Sequence, residues 1–325
     1  MLTCNICENS INLIMNNHPG YVQGTSYDIY ECKVCKTRSA VGEVNLETDL
    51  NRVYDLIYNN GKKVPGYNRY FSLANNILKQ EKPFEWLASQ GLEYWHVRNH
   101  LLSFSQDSDK ILEIGCGFGY LTYAMKKSNY NAIGIDLSKE VIEIAQAQFG
   151  EGFSNDKIQD FIQKKEKFDL IILTEVIEHI LDPIELIMEC KKILSQNGAI
   201  FITTPNRSIY TSQLAWSVEA PPVHLWWFNS TGIFSLAQKC NLKCTILSGT
   251  SSPWAKNWKK ISTRHSVNKF SIFNEEGELI HNKIQDRSLY RLGIIKQIKA
   301  WIEKIFYKQA DLNPTLAVKL TFDNQ

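Results

Sequence analysis

The chain has 325 residues, 44% of them hydrophobic, and a formal net charge of +2 at pH 7. That length suits one large domain with a smaller one appended, and a charge so near zero excludes the global basic field that gathers nucleic acid. No run approaches the ~18 uninterrupted apolar residues of a membrane helix, and Met1-Leu2-Thr3-Cys4 opens without a basic region or a signal-length apolar core, so a cytoplasmic location is the default expectation.

In a reducing compartment disulfides rarely persist, which gives the eight cysteines another meaning. Cys4-x-x-Cys7 and Cys32-x-x-Cys35 are two close pairs, each able to wrap a tight turn and aim two thiolates at one tetrahedral ion. The spacing predicts a zinc-ribbon-like module over residues 1–44. Four thiolates fill the coordination shell, so the metal is structural and staples a segment too short to fold on its own core. Glu8 and Lys36 stand where such turns often carry glycine. Cys190, Cys240 and Cys244 fall in or beside predicted helices and read as packing. Residues 45–105 are rich in Tyr, Trp, Asn and Leu at helical spacing, punctuated by Pro65-Gly66 and Lys82-Pro83, and read as a helical linker or lid. Tyr67, Tyr70, Tyr94, Trp95 and His96 are candidates for substrate contact there, with helix packing as the alternative.

The apolar run Ile111-Leu112-Glu113-Ile114 then breaks into alternate glycines at 115, 117 and 119. Glycine takes positive φ and lets backbone approach a ligand, and the helix that follows points its N–H groups at whatever is bound. A dinucleotide fingerprint needs its third glycine one position later, where Tyr120 stands, so a pyrophosphate site is disfavoured. A second run, Ala132-Ile133-Gly134-Ile135, ends in Asp136, from which a carboxylate can accept hydrogen bonds from both ribose hydroxyls. The ligand reads as a nucleoside. Expected strands lie at 110–115, 131–136, near 157, 168–174, 198–204, 242–248 and 315–322, with helices at 118–127, 138–148 and 230–239 between them, an alternation that predicts a parallel sheet with right-handed crossovers.

Glu113-x-Gly115-x-Gly117-x-Gly119, Gly134-Ile135-Asp136, Phe168-Asp169-Leu170-Ile171-Ile172 and Thr174-Glu175-Val176-Ile177-Glu178-His179, followed by Asp182-Pro183 and the strand Phe201 to Asn206, resemble a class I S-adenosylmethionine-dependent methyltransferase. The resemblance covers residues 110 to 206 and implies an α/β fold, a Rossmann-like seven-stranded doubly wound sheet, over a domain at 106–325. It implies S-adenosyl-L-methionine held by Glu113, Gly115, Cys116, Gly117, Gly119, Asp136, Leu137, Asp160, Phe161, Thr174 and Glu175, with Asp160 meeting the adenine amino group. Three residues are candidates for catalysis: His224, in the loop Pro221 to Phe228 that the resemblance sets over the acceptor, and Glu178 and His179 just after strand four. His224 is favoured as general base, since an imidazole titrates near neutrality. A structural, hydrogen-bonded histidine is the alternative for either. Glu178-His179 also reads as a magnesium or manganese pair, but Ile180-Leu181 follow where further ligands would be needed, and no catalytic metal is expected.

Residues 251–313 form a basic insertion of net charge +6, leaving −4 for the rest. Its stretch 292–308 has an amphipathic helical pattern that suits packing on its own domain, a homodimer contact, or peripheral contact with the inner face of a membrane. The four-cysteine module, aromatic linker and Pro-Pro-Val-His-Leu-Trp-Trp-Phe loop resemble sugar and cell-surface glycan methyltransferases, which implies O- or C-methylation of a sugar or glycan precursor. The alternative acceptor is a quinone or lipid. A nucleic-acid methyltransferase is opposed by the net −1 of residues 1–44, and a non-catalytic cofactor-binding scaffold by the intact Glu113, glycines and Asp136.

Overall fold

The computed structural model describes residues 2–42, 46–64, 66–104, 108–209, 220–247, 271–280 and 315–323. The basic amphipathic stretch 292–308 and most of the 251–313 insertion lie outside them. The chain divides into two compact units: Met1–Asn68, Pro205–Gly232 and Ser248–Pro314 form the first, and Arg69–Thr204, Ile233–Leu247 and Thr315–Gln325 the second.

In the first unit, β1 (Ile11–Pro19), β2 (Ser26–Cys32) and β3 (Arg38–Gly42) form an antiparallel meander, and a two-residue strand, Trp226–Trp227 (β9 in chain order), adds to its β3 edge. Alternation along β2 buries Tyr27 and Ile29 on one face. The Tyr27 hydroxyl donates to Asp49 on helix α1 (Leu46–Asn60) at 2.9 Å. Tyr21, Val22, Val53, Ile57, Val223 and Phe273 share one small core, which draws residues from distant parts of the sequence.

The second unit opens with the helices α2 (Asn68–Ile77), α3 (Pro83–Ala88) and α4 (Leu92–Leu101), and then alternates strand with helix. Its strands are β4 (Lys110–Ile114), β5 (Asn131–Ile135), β6 (Phe153–Ser154), β7 (Phe168–Thr174), β8 (Leu194–Pro205), β10 (Lys243–Ile246) and β11 (Thr315–Thr321). They make a seven-stranded sheet in the order β10-β11-β8-β7-β4-β5-β6. Pairs from β6 through β8 are parallel, and β10 runs antiparallel to β11. The Rossmann-like expectation holds. Leu170, Ile171, Ile172 and Leu173 are all buried, as a central parallel strand covered on both faces requires. Asp182 caps α8 (Pro183–Ile193) through the amides of Ile184 and Glu185, with proline at the first helical position.

One expected element moves. The third strand of the motif is not near 157 but at Phe153–Ser154, and Lys157 instead begins α7 (Ile158–Lys164). From β4 the chain winds outward through β5 to β6, returns to β7 on the other side of β4, and continues to β8. The direction therefore switches between β4 and β7, and ligands of such sheets bind at the carboxyl ends of the strands beside that switch. Among the described residues no helix is long and apolar enough to cross a membrane.

Candidate functional site

The glycine turn leaves β4 at the switch point, and all three glycines have positive φ: +73° at 115, +51° at 117 and +77° at 119. They are not equivalent. A Cβ at Gly115 would press into Val176 just beyond β7, and one at Gly119 into Phe153 and Ala145, so these two serve close packing. A Cβ at Gly117 would meet nothing within 4 Å, which leaves open space beside a backbone that only glycine adopts easily.

Asp136 faces that space from the end of β5. One carboxylate oxygen accepts the Gly117 amide at 2.9 Å and the other accepts the Ser138 amide at 2.9 Å. Each oxygen has a second lone pair, so both ribose hydroxyls of a nucleoside can still be accepted. Burial raises the Asp136 pKa above the usual aspartate value, against the pull of the two amides. Leu137 follows with 74% of its surface exposed, an apolar side chain left bare beside a half-buried carboxylate and suited to the face of a base. Asn155 donates to the carbonyls of Asp136 and Leu137 at 2.7 and 2.8 Å and fixes this corner.

Two further cofactor candidates lie on α7 (Ile158–Lys164). Asp160 is the third residue of α7, and its carboxylate accepts the Lys157 amide at 2.7 Å in a capping box. Phe161 is buried edge-on against Phe168, with ring centroids 5.3 Å apart. The β6 exit that the adenine contact was assigned to is formed by Ser154, Asn155 and Asp156, and Ser154 donates to Asp156 at 2.9 Å. Sequence reasoning did not single out Asn155 and Asp156, a polar pair directly after an aromatic-Ser step. Cys116 is buried in the turn, with its thiol pKa pushed up by burial.

Glu113 is enclosed beneath the turn and accepts the Thr122 hydroxyl of α5 (Tyr120–Lys127), tying strand to helix on either side of the glycines. Burial lifts its pKa to about 8 from 4.5, so between those values the folded chain holds a proton that the unfolded chain releases. Stability must then fall as pH rises through this window, by up to ~1.4 kcal/mol per pH unit. Glu113→Gln keeps the shape and loses the titration, so its unfolding midpoints in urea, compared with wild type from pH 5 to 8, should decline less steeply. Parallel curves would mean that Glu113 is ionised in the fold.

At the end of β7, Glu175 takes φ +54°, a left-handed conformation that is uncommon for a non-glycine residue, and its amide donates to Thr203 on β8 at 2.9 Å. Burial, and then the neighbouring Glu178, raises its pKa well above the carboxylate range. Its Oε1 and the Thr174 hydroxyl are buried, and a side-chain hydrogen bond with Thr203 works against the rise in the Glu175 pKa. Glu178 accepts the Thr204 hydroxyl at 2.9 Å, and His179 Nε2 lies 3.9 Å from Glu178 Oε1. Tyr120, in the position a dinucleotide turn gives to glycine, meets the Tyr94 hydroxyl at 2.7 Å. Burial lowers the pKa of His96 to about 4, so it is neutral at physiological pH. Glu178 and His179 belong to the second unit and His224 to the first, where it is buried in the loop preceding β9.

The first unit also holds the four cysteines. Cys4 Sγ lies 3.7 Å from Cys35 Sγ and Cys7 Sγ 3.3 Å from Cys32 Sγ, and all four sulfurs lie within 4.8 Å of one another. With metal–sulfur bonds of ~2.3 Å, tetrahedral zinc sets its sulfurs ~3.8 Å apart, and a disulfide would need ~2.05 Å. The donor set fits zinc. Glu8 and Lys36 have φ of +62° and +59°, so the turns keep the left-handed geometry usually given to glycine.

The profile of a family described as a methyltransferase domain matches residues 85–246. A ubiquinone biosynthesis O-methyltransferase of Actinobacillus pleuropneumoniae serotype 7 is 36% identical over 110 residues, 31% of this chain and 47% of that protein. The protein of the same description in Pelagibacter ubique is 30% identical over 179 residues, 50% of this chain and 74% of its own length. The chain spans about half the length of the first of these curated relatives. Among solved structures, a SAM-dependent methyltransferase from Archaeoglobus fulgidus is similar at 15% identity and a TM-score of 0.47, covering 77% of this chain and 99% of that one.

Proposed function

The chain belongs to the methyltransferase-domain family, and from that premise we propose that it moves a methyl group from S-adenosylmethionine to a hydroxyl of a small-molecule acceptor. The observation that carries this reading is the pairing of Asp136 with the open backbone at Gly117, at the switch point of a seven-stranded sheet. When bound, the cofactor supplies a methyl group already activated on a sulfonium. Asp136 accepts the ribose hydroxyls, Leu137 covers a face of the adenine, and Asn155 and Asp156 stand where its amino group is read. Thr174 and Glu175 offer buried polar atoms toward the remainder of the ligand.

An acceptor hydroxyl must lose a proton as the methyl arrives, and His224 is the base of this proposal, with His179, oriented by Glu178, as the second candidate. A phenolic hydroxyl, with pKa near 10, is within the working range of an imidazole base. The quinone-biosynthesis relatives favour such an acceptor over the sugar or glycan that the motifs alone suggest. The four-cysteine module, which the resemblance links to sugar methyltransferases, keeps a sugar hydroxyl as the second reading. Its role here is structural, with zinc held by Cys4, Cys7, Cys32 and Cys35.

The test is a screen of the purified chain with S-adenosylmethionine against ortho-diphenols and nucleotide sugars, with methylated product read by mass. Product from diphenols alone supports the first reading, and product from sugars alone replaces it. His224→Gln should lower turnover at least tenfold while cofactor affinity, read by calorimetry, stays at wild type. Equal loss of affinity and turnover would remove His224 from the role of base.

A further inference from the structure

The loop that carries His224 is built on the four-cysteine meander, within the first unit. Strand β9 pairs with β3 in the register Arg38↔Trp227 and Ser39↔Trp226, and the Ala40 amide donates to Leu225 at 2.9 Å. At the start of the loop the Tyr21 amide donates to Pro221 at 3.0 Å, and Val223 is buried in the core that also contains Tyr21 and Phe273. These contacts hold residues 221–227 at both ends and in the middle, and every partner belongs to the cysteine module or to the core beside it.

The far end of the loop is tied to a metal-ligand position. Thr37 is buried two residues beyond Cys35, and its hydroxyl lies 3.4 Å from the Cys35 sulfur, where it can donate to a metal-bound thiolate. The same hydroxyl packs directly on Gly232, where an added Cβ would overlap it. Asn229 accepts the Gly232 amide at 2.7 Å and so caps helix α9 (Ser230–Lys239), which begins as the loop ends. A metal ligand, a buried threonine and a loop-closing turn are thus in one line of contact.

We propose that the four-cysteine module is the platform that positions the acceptor loop, with Thr37 as the positioning residue between Cys35 and the Gly232 turn. Its consequence for catalysis rests on the reading of His224 as the base, whereas its consequence for the loop does not. Methyl transfer needs in-line placement, and small displacements of a reacting group lower rates steeply.

The experiment is hydrogen exchange at the amides of residues 220–229 in the full chain, with zinc loaded and after chelation, together with turnover and cofactor affinity. Chelation should raise exchange across 220–229. Gly232→Ala, which puts a methyl group against Thr37, should also raise it and lower turnover roughly 10- to 100-fold, with S-adenosylmethionine affinity unchanged. Adding Thr37→Ala removes the overlap, leaving Asn229 Oδ1 at 3.3 Å and the residue-37 Cβ at 3.4 Å as neighbours, and puts a methyl contact in place of the hydroxyl contact, so protection and turnover should both recover in part. Failure of Thr37→Ala to rescue, or unchanged exchange after both chelation and Gly232→Ala, overturns the proposal. Lost protection with unchanged turnover overturns the positioning role. If wild-type protein methylates no acceptor, the functional reading fails while the exchange result still decides the platform.

Discussion

Asp136→Ala should weaken S-adenosylmethionine binding by roughly 10²- to 10⁴-fold, a loss of about 3 to 6 kcal/mol from two hydrogen bonds to a charged carboxylate. The carboxylate has two duties that alanine abandons together. It accepts the ribose hydroxyls, and its oxygens already fix the Gly117 and Ser138 amides at 2.9 Å on either side of the binding space. Asp136→Asn separates them: one end of the amide still accepts, while its NH2 end faces a backbone donor, so an intermediate loss is expected. Burial raises the pKa of Asp136, so binding should strengthen as pH rises through its ionisation. Calorimetric titration with S-adenosylmethionine, with NAD as the control ligand, reads this directly. Wild-type affinity in Asp136→Ala would mean that the nucleoside lies elsewhere and that the glycine turn serves packing alone.

What the sequence reveals here follows the range of the interactions. Strands β4, β7 and β8 are long apolar runs whose burial on both faces leaves a strong local signal, and the paired cysteines announce their cluster by spacing alone. Strand β6 is the contrary case. It pairs only Phe153 and Ser154 with β5, in a stretch rich in Gly, Asn and Asp, and too few residues are buried to impose a pattern. The expected position near 157 also set the choice of Asp160, because the adenine contact was counted from the strand's end. The helix capped by Lys157 and Asp160 was the stronger local feature, and it starts where the strand had been expected.

The assignment of residues 205–232 to the cysteine unit could not be read from sequence for a different reason. Its evidence is a two-residue ladder, a few backbone bonds and one Thr–Gly contact, each linking positions far apart in the chain. Periodicity carries no information about such partners. Composition did single out Pro221 to Phe228 as unusual, but the aromatic pair Trp226-Trp227 proves to be a buried edge strand. Tyr94, offered as a substrate contact, is likewise buried, with its hydroxyl satisfied by Tyr120.

Elemental analysis of the purified chain should find one zinc per molecule, and Cys35→Ser should remove it and lower the melting temperature of the first unit by tens of degrees or unfold that unit outright. Apparent zinc affinities of small structural sites reach about 10 to 16 kcal/mol, as large as the whole stability of an ordinary domain at about 5 to 15 kcal/mol. Cys4, Cys32 and Cys35 are themselves among the buried residues of the four-cysteine module. Without an ion the Cys35 thiol donates to Cys4, which lowers the Cys4 pKa and, with burial second, pushes the Cys35 thiol up to about 12. Zinc reverses that balance by binding thiolates, and metal should therefore be released as pH falls and protons compete for sulfur. Cys244→Ser, at a half-buried cysteine on β10 in the other unit, is the control and should keep full zinc content. S-adenosylmethionine affinity should survive Cys35→Ser, since every residue assigned to that ligand lies in the second unit. A chain that carries no zinc and melts identically with Cys35→Ser would reduce the four sulfurs to ordinary buried thiols.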